Sequence, residues 1–341
     1  MLPAELVGQF FGVGSLGEEE PNSPASYIKQ LALPYAYQIP KLREEDMIRQ
    51  FAALVDGFEE EGDFVFDIDI QAYREVTADE EAIHIDEKHL HSIHALMDGT
   101  HYGFFKTQQT APATMAYSIR GTNGKQHLTE ALFHFYWRLM KRIAAGQMEM
   151  LTNHCDSIVF CQDDPGLGHV KSMIEDEKIP DLSLAEIIAR TDTLYPDDVI
   201  PAYHYCDDWR KLRTDDKYVL WDAKPKIVHL DLVRYTPSVD ADQAEKINAF
   251  MKRGGGIALG ILPNVDEAFS ESLLKTLEHN LASSLREMED SGIDVEEVAR
   301  SSMISTQCGL SGASISLTRE IHSESHKFPE VFNRVMSKTA R

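Results

Sequence analysis

Short apolar runs rich in β-branched residues alternate along the chain with longer segments of helical periodicity. The apolar runs predict strands at Leu6–Val13, Phe64–Ile70, Gly103–Gln109, Ser157–Gln162, Val199–Tyr205, Lys226–Asp231, Gly256–Leu262 and Ser302–Gln307. Helices are predicted at Glu44–Glu60, Asp86–Met97, Gln126–Leu151, Leu182–Arg190, Asp240–Arg253, Glu267–Asp290 and Ser325–Thr339. Strands that alternate with helices favour a parallel sheet. Eight such strands therefore predict an α/β fold of the (β/α)8 TIM-barrel type, with an open doubly wound sheet as the alternative.

The length of 341 residues is usual for one α/β barrel, and no Pro- or Ser-rich linker or internal repeat divides the chain. A single domain over residues 1–341 is therefore the simplest interpretation. The segment Glu18–Leu42 is predicted to form a short N-terminal extension on the barrel.

The chain is strongly acidic, with 33 basic residues against 56 acidic ones and a formal net charge of -23. This balance argues against binding of nucleic acid or an anionic membrane through the general surface. No stretch reaches the roughly 18 apolar residues of a membrane span, and the first residues lack the basic start of a secretion signal. We therefore expect a cytoplasmic protein.

Residues capable of metal binding or acid–base chemistry are concentrated where the predicted strands end. They are Ser15, Asp163, Asp164, His204, Cys206, Asp231 and Cys308. In barrel enzymes the C-terminal ends of the strands form the active-site mouth. We therefore expect these side chains, distant in sequence, to meet at one mouth.

The tripeptide His204-Tyr205-Cys206 is the most informative of these positions. Residues i and i+2 of a strand face the same side, so an imidazole and a thiol would project together. With Cys308 they form a nitrogen and sulfur set that suits zinc. Asp231 is the candidate fourth ligand; His229, two residues earlier, is a competing ligand, a partner of the ligands, or a core histidine.

The four cysteines are few and irregularly spaced, which disfavours a disulfide framework. Cys161 is predicted to fill space inside the barrel and Cys155 to be inert. The same argument applies to Cys206, because a lone His-x-Cys is also compatible with a buried cysteine without function.

Five sequence blocks, in order along the chain, resemble those of the C-terminal catalytic barrel of cobalamin-independent methionine synthases. The blocks are Gly12-Val13-Gly14-Ser15, Gln162-Asp163-Asp164-Pro165, His204-Tyr205-Cys206, Leu230-Asp231 with Arg234, and Thr306-Gln307-Cys308-Gly309-Leu310. Each falls at a predicted strand end.

The resemblance implies a zinc ion held by four residues, His204, Cys206, Asp231 and Cys308. It also implies that Ser15, Asp163 and Asp164 bind the substrate homocysteine, and that Asp163 and Asp231 are catalytic. The implied activity is methyl transfer to a thiol, with homocysteine as the acceptor that would give methionine.

The chain departs from the family pattern at two carboxylates, since Asp164 and Asp231 stand where the family has glutamate. Its glycine–glutamate block after the second strand has no clear counterpart. With the length of a single barrel, the chain resembles the short form of the family, for which a methylated corrinoid protein or a methylfolate is the expected methyl donor. A metal-free decarboxylase or lyase, and a non-catalytic barrel that binds a thiol or metal, are the alternatives.

Overall fold

The computed structural model describes residues 2–61, 63–214 and 217–339. Its strands are β1 (Phe10–Phe11), β2 (Phe58–Glu61), β3 (Asp63–Phe66), β4 (Tyr102–Thr110), β5 (Cys155–Asp163), β6 (Val199–Tyr205), β7 (Ile227–Asp231), β8 (Gly256–Leu262) and β9 (Ser302–Thr306). Its α-helices are α1 (Ala25–Ile28), α2 (Arg49–Ala52), α3 (Ile70–Ala78), α4 (His91–Met97), α5 (Pro112–Ser118), α6 (Glu130–Leu151), α7 (Leu167–Glu175), α8 (Leu184–Asp192), α9 (Val219–Asp222), α10 (Ala241–Lys252), α11 (Leu273–Asp290), α12 (Val295–Ser301), α13 (Ile315–Glu324) and α14 (Phe328–Thr339). None of the helices in the described ranges combines the length and the apolar character needed to cross a membrane.

The main sheet is parallel and has the strand order β1-β9-β8-β7-β6-β5-β4. Helices from the intervening segments pack around it, which confirms the predicted α/β architecture. The prediction of eight strands in a closed barrel is wrong in the number of strands and in the closure of the sheet. In the described residues the sheet has seven strands and is open between β1 and β4.

The predicted second strand, Phe64–Ile70, does not join the parallel sheet. Its first residues form β3, which pairs with β2 in an antiparallel hairpin whose register places Phe58 opposite Phe66. Asp69 then caps the start of α3, because its carboxylate accepts hydrogen bonds from two backbone N–H groups of the first turn. The helix cap ends the extended segment before Ile70.

The predicted helix Glu44–Glu60 is also wrong, because the chain there forms only a 3-10 turn, the four-residue α2 and strand β2. Asp46 interrupts the first part, since its carboxylate accepts hydrogen bonds from the backbone N–H groups of Ile48 and Arg49. Gly57 has a φ of +98°, a conformation that ends helical periodicity and that glycine adopts readily.

Residues 34–38 lie in the gap between β1 and β4 and form parallel bridges to both sides. The N–H of Ala36 donates to the carbonyl of Lys106 on β4 at 2.8 Å. The N–H of Gln38 donates to the carbonyl of Gly14, beyond β1, at 3.1 Å. Part of the predicted N-terminal extension therefore takes the place of a strand, through isolated bridges that sequence periodicity did not reveal.

Apolar side chains on the inner side of the curled sheet form a cluster of their own. Its buried members are Leu2, Leu6, Phe11, Leu33, Val159, Cys161, Ala202, Ile227, Ala258 and Met303. Cys161 belongs to this cluster, as predicted for a small filler residue. Further along β5, β6 and β7 the same face carries Asp163, His204 and His229, so the polar site stands on an apolar base.

Candidate metal centre

The strand register brings the predicted site residues to one edge of the sheet. Asp163 at the end of β5 is the register partner of His204 on β6, and His204 is the partner of His229 on β7. Cys308 follows the end of β9. The carboxyl ends of parallel strands share one edge, so side chains from distant parts of the sequence converge there.

His204, Cys206 and Cys308 form a cluster whose ligand atoms all lie within 4.8 Å of one another. The Sγ atom of Cys308 lies 3.8 Å from Nε2 of His204. The imidazole is buried and the two cysteines are partly buried. One nitrogen and two sulfur donors at this spacing match the ligand types that bind zinc.

A chain of two hydrogen bonds fixes the orientation of the His204 ring. Nε2–H of His229 donates to the carbonyl oxygen of Thr306 at 2.8 Å. Burial lowers the pKa of His229 well below its usual value, so its Nδ1 is an acceptor. His204 Nδ1–H donates to that atom at 2.8 Å. Nε2 of His204 is thereby directed at the cysteine pair, as a ligand nitrogen requires.

The two thiols and the imidazole change one another's pKa values. The hydrogen bond from Cys206, assisted by His204, lowers the pKa of Cys308 below its usual value. Burial lowers the pKa of His204, but its hydrogen bond to Cys308 and the charge of that sulfur outweigh burial and raise it. The pKa of Cys206 is raised by the same thiol–thiol hydrogen bond. These neighbours therefore favour the thiolate of Cys308, and thiolate is the ligand form of cysteine.

Asp231 does not join this cluster. Its side chain is fully buried, and Oδ1 accepts hydrogen bonds from the N–H groups of Val233 at 3.0 Å and Arg234 at 2.9 Å. Oδ2 accepts from Nε of Arg234 at 2.5 Å, and the same guanidinium donates to the carbonyl of Cys206. In this arrangement Asp231 holds Arg234 against the cysteine segment, and its role as a metal ligand stays a prediction.

The two neighbouring aspartates differ in what they offer a ligand. Asp163 is 9% exposed, its Oδ1 atom has no hydrogen-bond partner among the described residues, and burial raises its pKa. Both oxygens of Asp164 are occupied, by the hydroxyls of Thr114 at 2.6 Å and Tyr203 at 2.7 Å. Asp163 is thus the carboxylate that can accept a hydrogen bond from a ligand, while Asp164 links β6 to α5 through its two hydrogen bonds.

Ser15 lies against the backbone beside Cys308. Its carbonyl accepts from the N–H of Leu310 at 2.7 Å. A Cβ atom on Gly309 would come within 2.0 Å of Ser15 Oγ, so a larger residue there would displace the Ser15 hydroxyl. The structure therefore places Ser15 next to the cluster, and its predicted contact with a substrate stays a prediction.

Sequence reasoning missed Lys106, which is fully buried inside the sheet. Its ammonium donates to the carbonyl of Val13 and to Oε1 of Gln108, both at 2.8 Å. Its charge lowers the pKa of Asp163, against the larger effect of burial. A sequence signal for this pair does exist, because Lys106 and Gln108 are two residues apart on a predicted strand and therefore share one face.

No family model matches this chain, and no curated protein sequence matches it. Among solved structures, a B12-independent methionine synthase from a Shewanella species, in complex with selenomethionine, aligns with a TM-score of 0.58 and 14% identity, over 96% of this chain and 98% of that chain. A methyltransferase from Methanosarcina mazei aligns over 99% of this chain and 96% of that one, with 9% identity and a TM-score of 0.47. The first similarity shows a shared fold. At these identities function must be argued from the site.

Proposed function

We propose that this protein is a zinc-dependent methyltransferase that moves a methyl group from a methylated corrinoid or folate donor to a thiol. The acceptor we propose is homocysteine, which would give methionine. The observation that carries the proposal is the convergence of His204, Cys206 and Cys308 at the mouth of the sheet.

The donor set fits a catalytic zinc site. Such sites commonly have three protein ligands and keep one position for a substrate. His204 Nε2 and the two sulfurs supply three ligands, and His229 fixes the imidazole orientation from behind. A zinc ion bound there would lower the pKa of a coordinated substrate thiol and so provide a nucleophilic sulfur at neutral pH.

Asp231 is the proposed fourth ligand in the absence of substrate, by the resemblance of its sequence block. Its carboxylate is one methylene shorter than the glutamate of that block and is held by Arg234. Coordination would therefore require Asp231 to exchange this ion pair for the metal.

The residues around the cluster suit an amino acid that carries the thiol. The unpartnered Oδ1 of Asp163 would accept a hydrogen bond from the substrate ammonium, a charge-assisted interaction that is stronger than a neutral one. Ser15, beside Cys308, would contact the same end of the substrate. In the reaction the thiol loses its proton, a sulfur–carbon bond forms and the bond between donor and methyl breaks.

Methyl transfer is tested by assaying the purified protein with a panel of thiols and with methylcobalamin or methyltetrahydrofolate as donor. We expect homocysteine to yield methionine, a chelator to stop the reaction and added zinc to restore it. Cys206→Ser should lose both zinc and activity, whereas Cys155→Ser, at a buried cysteine outside the cluster, should keep both.

Unchanged zinc content and turnover in Cys206→Ser would overturn the mechanism. Metal-free protein that processes a carboxylated substrate would favour a decarboxylase or lyase. Bound zinc without turnover of any thiol with either donor would favour a non-catalytic barrel.

A further inference from the structure

A cleft of about 560 Å³ lies next to the segment that follows β6. Helix α7, the segment 208–214 that follows β6, and the start of α10 form its walls. Its volume lies in the range of small-molecule sites in proteins. None of the proposed metal or substrate contacts belongs to its lining.

The cleft lining is cationic in a protein with a net charge of -23. Lys171, Arg210, Lys211 and Arg213 face three carboxylates in it. Asp208 serves two of these cations, at 2.7 Å from Arg210 and 3.1 Å from Lys211. Lys171 lies 2.5 Å from Glu175. Arg213, which is about half exposed, lies 3.8 Å from Asp240. Four cations against three carboxylates leave an excess of one positive charge, and the exposed cations keep N–H groups that a ligand could meet.

Gln243 supplies an independent indication of a missing partner. It lies in the first turn of α10, is 4% exposed and lines the cleft. Its side-chain Nε2 has no hydrogen-bond partner among the described residues. Buried amide donors are almost always bonded, so an acceptor that reached this group from the cleft would satisfy it.

The cleft is connected to the candidate metal centre by stacked side chains. The guanidinium of Arg210 lies 6.0 Å from the ring centre of Tyr235, and that of Arg234 lies 5.3 Å from it. Arg234 in turn donates to the carbonyl of Cys206. Arg210, Tyr235 and Arg234 therefore form a continuous path of contacts from the cleft to the cysteine segment.

We propose that this cleft binds the carboxylate or phosphate group of an anionic small molecule. Arginine guanidinium groups match the geometry of both anions and bind them through paired hydrogen bonds. Arg210 and Arg213 provide these groups, Lys211 adds charge at the rim, and Gln243 adds a buried neutral donor.

The test is a titration of the full chain with inorganic phosphate and with citrate at low ionic strength, followed by calorimetry or NMR. We expect Arg210→Met to weaken binding at least tenfold and Gln243→Leu about threefold. Lys252→Ala removes one exposed charge from the opposite end of α10 and should change binding less than twofold. Lys211→Ala, at a side chain that is 83% exposed, provides a surface variant that leaves folding intact.

Equal binding in wild type, Arg210→Met and Lys211→Ala would overturn the proposal. Binding of a polyglutamate peptide without binding of phosphate or citrate would also overturn it, in favour of an acidic protein partner.

A second measurement separates the sources of the anion, and this part alone rests on the proposed methyl transfer. If the anion belongs to the methyl donor, Lys211→Ala should raise KM for the donor and leave KM for the thiol unchanged. If a separate metabolite binds, the donor KM stays constant and phosphate changes the rate. The phosphate titration needs no turnover, so its result stands whether or not the protein transfers methyl groups.

Discussion

His229 determines which nitrogen of His204 faces the two cysteines. Nε2–H of His229 donates to the carbonyl oxygen of Thr306, and Nδ1 of His229 accepts a hydrogen bond from Nδ1–H of His204. Partners behind a metal-ligating histidine commonly change metal affinity 10–100-fold when they are removed. The side chain of His229 is therefore a positioning group for the proposed zinc ligand.

Replacing His229 should weaken metal binding without removing a ligand. We expect His229→Leu to lower zinc affinity by about tenfold or more, because His204 loses its acceptor. His229→Gln, which keeps an acceptor and a donor, should recover part of the affinity. Competition with a chromophoric chelator measures both, and equal affinity in His229→Leu and wild type would contradict the positioning role.

Gly309 is required by close packing next to Cys308. Gly309→Ala should destabilise the fold by about 1 kcal/mol, because its Cβ would lie 2.0 Å from Ser15 Oγ and the Ser15 side chain must leave its rotamer. Gly103→Ala is the matched control, since a Cβ there meets nothing within 4 Å. Urea unfolding compares the two variants, and a Gly309→Ala midpoint equal to that of Gly103→Ala would show that the contact relaxes freely.

At residue scale, the sequence was sufficient to place His204, Cys206 and Cys308 together, because strand ends and the i, i+2 rule determine direction. It was insufficient for Asp231, whose carboxylate is engaged by Arg234 three residues later. It also missed Lys106, because hydrophobic patterning gives no partner for a buried charge. Side-chain pairing across the sheet is decided by three-dimensional contacts that a sequence pattern does not contain.

Helix α8 shows how a local sequence sets the start of an element. Ser183 accepts a hydrogen bond from the N–H of Glu186, and the Glu186 carboxylate accepts from the N–H of Ser183. This capping box satisfies backbone donors that the first helical turn leaves free. The predicted helix Leu182–Arg190 agrees with α8 to within two residues at each end.

Removing the Ser183 side chain should lower the free energy of unfolding more than removing a serine that makes no capping bond. We expect Ser183→Ala to lower the free energy of unfolding by about 1 kcal/mol. Ser272→Ala is the control, because Ser272 occupies the same position before α11 without a side-chain cap bond. If thermal or urea unfolding shows equal losses, the capping bond contributes nothing measurable.

Strands β6 and β8 match the predicted bounds, because continuous apolar runs characterise strands that are buried on both faces. Two of the failures, the helix Glu44–Glu60 and the start of the strand Phe64–Ile70, lie between Arg43 and Phe66, where acidic residues and Gly57 are mixed with aromatic ones. In that stretch capping by Asp46 and cross-strand pairing of aromatic residues prevail over helical periodicity. Tertiary context decides such short, mixed segments.

At the scale of the whole molecule, the three clustered zinc ligands come from the end of β6 and from the segment after β9. These strands are separated in the sheet by β7 and β8. A metal ion held by both ends would bind the folded state and not the unfolded chain. Metal binding should therefore raise the free energy of unfolding of the whole fold.

Zinc should raise the thermal midpoint of the purified protein. At a free zinc concentration 100 times Kd the stabilisation is about 2.7 kcal/mol. Cys308→Ser should lose this increment and Cys155→Ser should retain it, because Cys155 lies outside the cluster. Calorimetry with and without chelator measures the increment, and an unchanged increment in Cys308→Ser would exclude that cysteine as a ligand.

The bridging segment 34–38 has a consequence for how the interior exchanges with water. Strands β4 and β5 are joined over eight register pairs, whereas this segment holds its neighbours through isolated bridges. Local opening should therefore begin here and admit solvent beside Lys106 and Asp163. In hydrogen–deuterium exchange, the amides of Ala36 and Gln38 should exchange faster than those of β5, although both residues are buried.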